Sequence, residues 1–286
     1  MAAHTLERRP GAWHQGAVLF CRTATDMWRN PSLLLMHVLL ALVTGVVVGV
    51  IFLHQPFTLS GVQNRAGVLF FSLALTGFTA LSVFDGLMLD RALVTREARA
   101  GHYHPAAYLV GRLALDALLL RAVPATLFTL VLYPLAGLKT DAANVATLAL
   151  VLGTFGATVG ALAVCMAGLV DTPGKATLLM NLVLLLWVLL GGFLVNPTSI
   201  PPGIGWLRYC SPMPYAFEAL VSNEVAGQTF SLSVPGIPSV DNIQGYALMT
   251  AIGLDASRAQ SDVALLVVFF MGFNALAMAA FSWAAA

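Results

Sequence analysis

Apolar residues run in long blocks broken by short polar punctuation, at 33–53, 66–89, 106–136, 142–170, 176–195 and 263–283. A bilayer core takes roughly 20 apolar helical residues to cross. The pattern therefore predicts an all-α integral membrane fold with six spans. Ahead of the first block the periodicity changes. Trp13, Ala17, Phe20, Ala24 and Met27 recur at helical spacing, while Gln15, Arg22, Asp26 and Arg29 take another side. That is the signature of a helix lying along a membrane surface, although a helix packed on a soluble domain would read the same way. Asn30-Pro31 ends it, because the residue before proline is pushed out of helical geometry. The chain divides into an N-terminal segment, 1–31, with this amphipathic connecting helix, and a six-span domain, 32–286.

The longest stretch without a clear span is 196–262, which carries five prolines between 197 and 214 and then a helix-like run at 215–225. Its length predicts a folded cap over one mouth of the bundle rather than a plain connector. Small residues mark expected helix contacts: Gly45 and Gly49 in the first span, and Gly153, Gly156 and Gly160 in the fourth. Positive charge gathers before the first span (Arg8, Arg9, Arg22, Arg29), after the second (Arg91, Arg96, Arg99) and at Lys175. By the positive-inside rule both termini and a charged loop from Arg91 onward are expected in the cytoplasm, with 196–262 on the other side.

Composition agrees and narrows the choice. The 286 residues are 59% hydrophobic and 9% charged, against about 25% charged in soluble domains. A net charge of +1 gives no reason to expect a nucleic-acid partner. Cys21, Cys165 and Cys210 are too few and scattered for a disulfide framework or a zinc site. The first thirty residues lack the compact apolar core of a cleavable leader.

No motif for bond-breaking chemistry is present. The nearest approach to a nucleotide loop, between Gly168 and Ala176, has one residue too many and lacks the hydroxyl that holds magnesium. His102 and His104 flank Tyr103 without a third ligand nearby, so no metal site is expected. Charges inside the spans are the informative remainder, since a lone one at the bilayer centre costs ~2.5–3.5 kcal/mol or more. Arg112 and Asp116 stand four apart and are expected to pair. Asp85 should lie at a similar depth, and Arg121 has no partner visible in the sequence. The cluster reads either as an ion-pair staple or as a transmitter of motion.

Five runs then carry a resemblance: QNRAGVLFF at 63–71, REARAGHY at 96–103, YLVGRLALDALLLRAVP at 108–124, GGFLVNPTSIP at 191–201 and RYCSPMPYAFEALVSNEVAGQTF at 208–230. In this order they resemble the membrane half of subfamily G ATP-binding cassette exporters, of the breast cancer resistance protein and white type. The resemblance implies a type-2 exporter fold and a half-transporter that pairs, as homodimer or heterodimer, around a shared cavity. It implies a plasma-membrane location and amphipathic, lipid-like or xenobiotic substrates. Cavity positions carried over are Phe71, Leu75 and Phe78 of the second span and Leu178, Leu182, Leu185 and Val188 of the fifth. Ala74 and Leu75 stand where the family places polar residues. An apolar gate corresponds to Phe193 and Leu194, with phenylalanine where leucine is usual. Coupling positions are Asp85, Asp90, Glu97 and Arg112, beside Asp116. ATP and magnesium belong, by the same resemblance, to a nucleotide-binding domain in cis or in trans that these residues do not contain, so this chain is not expected to be an enzyme by itself. The alternative is a truncated partner that modulates full-length relatives without transporting.

Overall fold

The computed structural model describes residues 12–100, 103–139, 141–201, 203–232 and 240–285. Helix α1 (Ala12–Arg29) precedes α2 (Ser32–Ile51). Helix α3 (Leu59–Thr79) starts where the Thr58 side chain accepts a hydrogen bond from the Gly61 amide, and continues through a 3-10 turn, Ala80–Val83, into α4 (Phe84–Arg99). The segment read as a charged loop from Arg91 is thus helical to Arg99. Its residues are good helix formers with no proline or glycine to stop them.

Past α4, whose C-terminal half together with α1 and the start of α5 is called the elbow, Pro105 opens α5 (Pro105–Leu115) behind a cap in which His104 accepts from the Ala106 amide. A π-helical segment, Asp116–Ala122, leads into α6 (Val123–Ala136), which ends at Gly137 in the left-handed region. Pro124 has no amide proton and cannot continue an α-helical ladder, and wider i→i+5 bonding next to it is one way a helix takes up that break. Helix α7 (Ala142–Leu169) is the central column, with nearly every side chain buried from Val151 to Gly168. Helix α8 (Pro173–Leu190), α9 (Met213–Val225), a two-stranded antiparallel pair (β1, Thr229–Leu232; β2, Val240–Gln244), α10 (Gly245–Ala251) and α11 (Ala259–Ala285) complete the order.

Among the described residues five helical runs are long and apolar enough to cross a membrane: Ser32–Ile51, Leu59–Val83, Pro105–Ala136, Ala142–Leu169 and Ala256–Trp283. At the place of the remaining expected span, α8 has 18 residues, about 27 Å of helix. It stops at Gly191, and residues 191–195 bend onward with Gly192 at φ +92°. The second crossing also lies seven residues earlier than the apolar block suggested, because Leu59–Arg65 are already helical.

The small-residue positions are contact points. Methyl groups at Gly45 and Gly49 would meet Val131 at 3.3 Å and Leu135 at 2.7 Å, so α2 lies directly against α6. Gly153 faces the Ala122 backbone, while Gly156 and Gly160 face Arg121 and Asp116. Segment 196–262 does not simply sit over the bundle. Helix α9 is buried along almost its whole length and packs against α3, α7 and α11.

A polar fastener holds it there. Arg65 on α3 is 1% exposed and forms an ion pair with Glu224 of α9. Arg65 also donates to the Gln55 carbonyl at 2.7 Å and lies 4.7 Å from the centre of the Phe57 ring. Both Glu224 oxygens accept from the Lys139 amide at 3.2 Å, and the Lys139 ammonium donates to the carbonyls of Asn223 and Ala226. Burial pushes the Lys139 pKa down from its usual value, yet two carbonyl partners leave the ammonium satisfied.

Candidate functional site

Two features of the bundle bear on function: an uncovered apolar strip across α3 and α8, and a network of charges around the elbow. On α3, Phe71 and Phe78 are exposed and Leu75 is half-buried between them. Positions 71, 75 and 78 are four and three apart and so lie on one side of a helix. Phe70 points the other way, into the core. Helix α8 shows Leu178, Leu182 and Leu185 outward at the same helical repeat, with Val188 half-buried. The two helices touch: a methyl group at Gly77 would stand 3.4 Å from Leu184 Cδ2. Their open sides therefore adjoin.

One residue of this strip was not singled out from the sequence. Asn181 stands between Leu178 and Leu185 on α8, half-buried, and its amide finds no hydrogen-bond partner among the described residues. A solitary amide in a leucine-rich run was the signal, since polar groups within a span normally face protein or water rather than lipid.

Beyond α8, the two residues expected to form a gate part company. Phe193 turns inward, its ring 5.0 Å from that of Phe70 and 5.9 Å from that of Phe217. Leu194 is exposed. The aromatic trio Phe70–Phe193–Phe217 ties the bend after α8 to α3 and α9.

At the elbow, α1 packs on α5 by burying Leu19 and Thr23, with Gly111 set against the Phe20 backbone. Ala17 and Phe20 remain exposed, the disposition of a helix whose apolar stripe meets a membrane surface. Arg22 on α1 pairs with Glu97 on α4 at 3.1 Å, and Tyr103 donates to the same carboxylate at 2.6 Å. The bond to Glu97 raises the Arg22 pKa, and burial followed by that bond raises the Tyr103 phenol. Asp90 accepts from the Tyr108 hydroxyl at 2.9 Å and lies 3.8 Å from Arg112. Arg91 donates to the carbonyls of Ala167 and Val170 at the end of α7. These bonds connect α1, α4, α5 and the foot of the central column.

The expected Arg112–Asp116 pair does not form. Asp116 pairs instead with Arg121, Nε to Oδ2 at 3.3 Å and the second nitrogen to Oδ1 at 3.5 Å, both residues buried. In a regular α-helix residues five apart diverge by about 140°, but the π segment brings them together on the side of α7 where Gly156 and Gly160 leave room. Arg121 thereby has the partner that sequence spacing did not offer. The side chain of Asp85, and His102 of the histidine pair, lie outside the described residues. Among the described residues no group of three or more histidine, cysteine or acidic side chains is placed to hold a metal.

Comparison with known proteins follows the same outline. The family described as ABC-2 type transporter matches residues 14–225. The chain is 32% identical over 242 residues to the Broad substrate specificity ATP-binding cassette transporter ABCG2 of Mus musculus, covering 83% of this chain and 36% of that protein. It is 28% identical over 283 residues to a Probable ATP-dependent permease of Saccharomyces cerevisiae, covering 98% of this chain and 26% of the relative. It is 27% identical over 266 residues to ABC transporter G family member 24 of Dictyostelium discoideum, covering 93% and 23%. The chain thus spans about a third or less of the length of these relatives.

Proposed function

The chain belongs to the ABC-2 type transporter family, as a membrane domain of subfamily G, and from that premise we propose that two such domains pair and export amphipathic molecules through a cavity between them. The power comes from an ATP-binding domain in cis or in trans. Phe71, Leu75 and Phe78 from α3, with Leu182, Leu185 and Val188 from α8, form each copy's half of the chamber wall. Leu194 and the bend held by Phe193 form its outer limit. The Asp90–Arg112–Tyr108 and Glu97–Arg22–Tyr103 clusters carry motion from the ATPase through α1 and α4 to the spans. Elbow and termini lie on the cytoplasmic side of the plasma membrane.

The observation that supports this reading is Asn181 on the aromatic–leucine strip. Lipid chains are as apolar as leucine, so the exposed leucines and rings alone suit either lipid or a partner. An unpartnered amide among them suits a wet or ligand-filled chamber. Such a wall favours flat apolar ligands because burial contributes roughly 25 cal/mol per Å2 with little directional demand.

The test places a single cysteine at position 78 after Cys21, Cys165 and Cys210 are replaced by alanine. In membranes holding the assembled transporter, a short bismaleimide should link two copies through this position, and an apolar substrate should slow the reaction. Phe78→Ala should also lower ATP-dependent export while leaving insertion unchanged. A position-78 cysteine that never crosslinks, together with unchanged export of every apolar substrate by Phe78→Ala, overturns the assignment.

A further inference from the structure

At the end of the bundle away from the elbow, a cavity of about 280 Å3 opens between α9, the turn at Gly205–Cys210, the turn after α10 and the start of α11. Three carboxylates line it, Glu218, Asp255 and Asp262, together with Arg208 and Arg258. Asp255 is matched: it accepts from the Ser257 amide and hydroxyl and pairs with Arg258 at 3.3 Å. Arg208 lies over the Tyr209 ring, 5.3 Å from its centre. Glu218, 8% exposed, takes one hydrogen bond, from the Asp255 amide. Asp262 is 3% exposed, and its Oδ2 has no hydrogen-bond partner among the described residues.

Three carboxylates and two guanidinium groups thus share the lining of one cavity. A buried carboxylate oxygen without a donor is costly, so the site lacks a hydrogen-bond donor at Asp262. The three acids are not among any group placed to hold a metal ion. Aromatic walls come from Tyr209 and Tyr215, and Tyr215 is in turn braced by Phe269 at 5.8 Å. Carboxylate acceptors beside aromatic faces suit an alkylammonium group, which has several N–H donors and a charge that rings attract. About 280 Å3 is the space of roughly nine waters, enough for a short amine.

We propose that this cavity binds the ammonium head of a small primary or secondary alkylamine, with Asp262 as its anchoring carboxylate and Glu218 as a second acceptor. The proposal is independent of the chamber between two copies.

The chain in lipid nanodiscs is titrated with n-butylammonium chloride, with tyrosine and tryptophan fluorescence as readout. Neutral n-butanol and calcium chloride serve as comparison ligands. Saturable binding of butylammonium and none of butanol is expected. Asp262→Asn should weaken binding by tenfold or more, and Phe78→Ala should leave it unchanged. Should Asp262→Asn fail to fold, Tyr209→Leu carries the test, since that exposed ring can be removed without unpairing a buried charge, and it should weaken binding severalfold. Equal binding of butanol, retention of affinity in the variant tested, loss of binding in Phe78→Ala, or displacement of the amine by calcium would each overturn the proposal.

Discussion

The exchange of partners in the third crossing can be measured directly. With Nε and Oδ2 3.3 Å apart, Arg121 and Asp116 attract each other by about 5 kcal/mol at an effective dielectric of 20. Most of this offsets the cost of removing both charges from water. Their coupling in a double-mutant cycle should still fall at about 1.5–3 kcal/mol, the upper part of the range for contacting residues. Arg112 faces a different acid at 3.8 Å, and Asp90 keeps 35% of its side chain exposed. That pair is screened by solvent and should couple by about 0.2–1 kcal/mol. Between Arg112 and Asp116 the coupling should be close to zero. The substitutions are Asp116→Asn, Arg121→Gln and Arg112→Gln, singly and in pairs, with unfolding in mixed micelles followed by tryptophan fluorescence. A 112–116 coupling equal to or above the 116–121 coupling would mean that the segment is an ordinary α-helix, and the reasoning from the π turn would fail.

Two further outcomes are expected from the far end of the bundle. Glu224→Ala leaves Arg65 buried without its acid and should destabilise by about 3–5 kcal/mol in the same assay, whereas Arg65→Met with Glu224→Leu should recover most of the loss. Burial, the largest influence on Glu218, holds its carboxyl above the usual value. The folded chain therefore keeps that proton longer than the unfolded one. The resulting stabilisation is full below the ordinary carboxylate range and is lost as pH climbs through the raised value. Glu218→Gln should flatten that decline in a series of unfolding measurements from about pH 4 to pH 8.

How far the sequence discloses this molecule depends on the range of the interaction concerned. Span positions come from block length, and the fourth block, 142–170, agrees with α7 to one residue because Asp141 and Asp171 bound a mostly apolar run without a charged residue. The glycine seam at 153, 156 and 160 is legible as a contact surface, though not that a buried arginine and aspartate fill it. Phe71 and Phe78 share a side by spacing alone. Arg65 and Glu224 stand 159 residues apart, and nothing local in either marks the other. The π segment is hidden for a related reason. Pro124 announces an interruption, but which residues take up the slack depends on the shape of the neighbouring helix. In the leucine-rich α8, apolar residues on every side blur the boundary between core and open face, and the one polar departure, Asn181, was the clue that composition diluted.

The enclosure of α7 also constrains the geography of the whole assembly. A column wrapped by its own chain along nearly all of Val151 to Gly168 has little surface to offer lipid or any other chain. Under the proposed pairing, a frontier between copies would run along outlying helices, and cargo would pass the periphery of each copy rather than its middle.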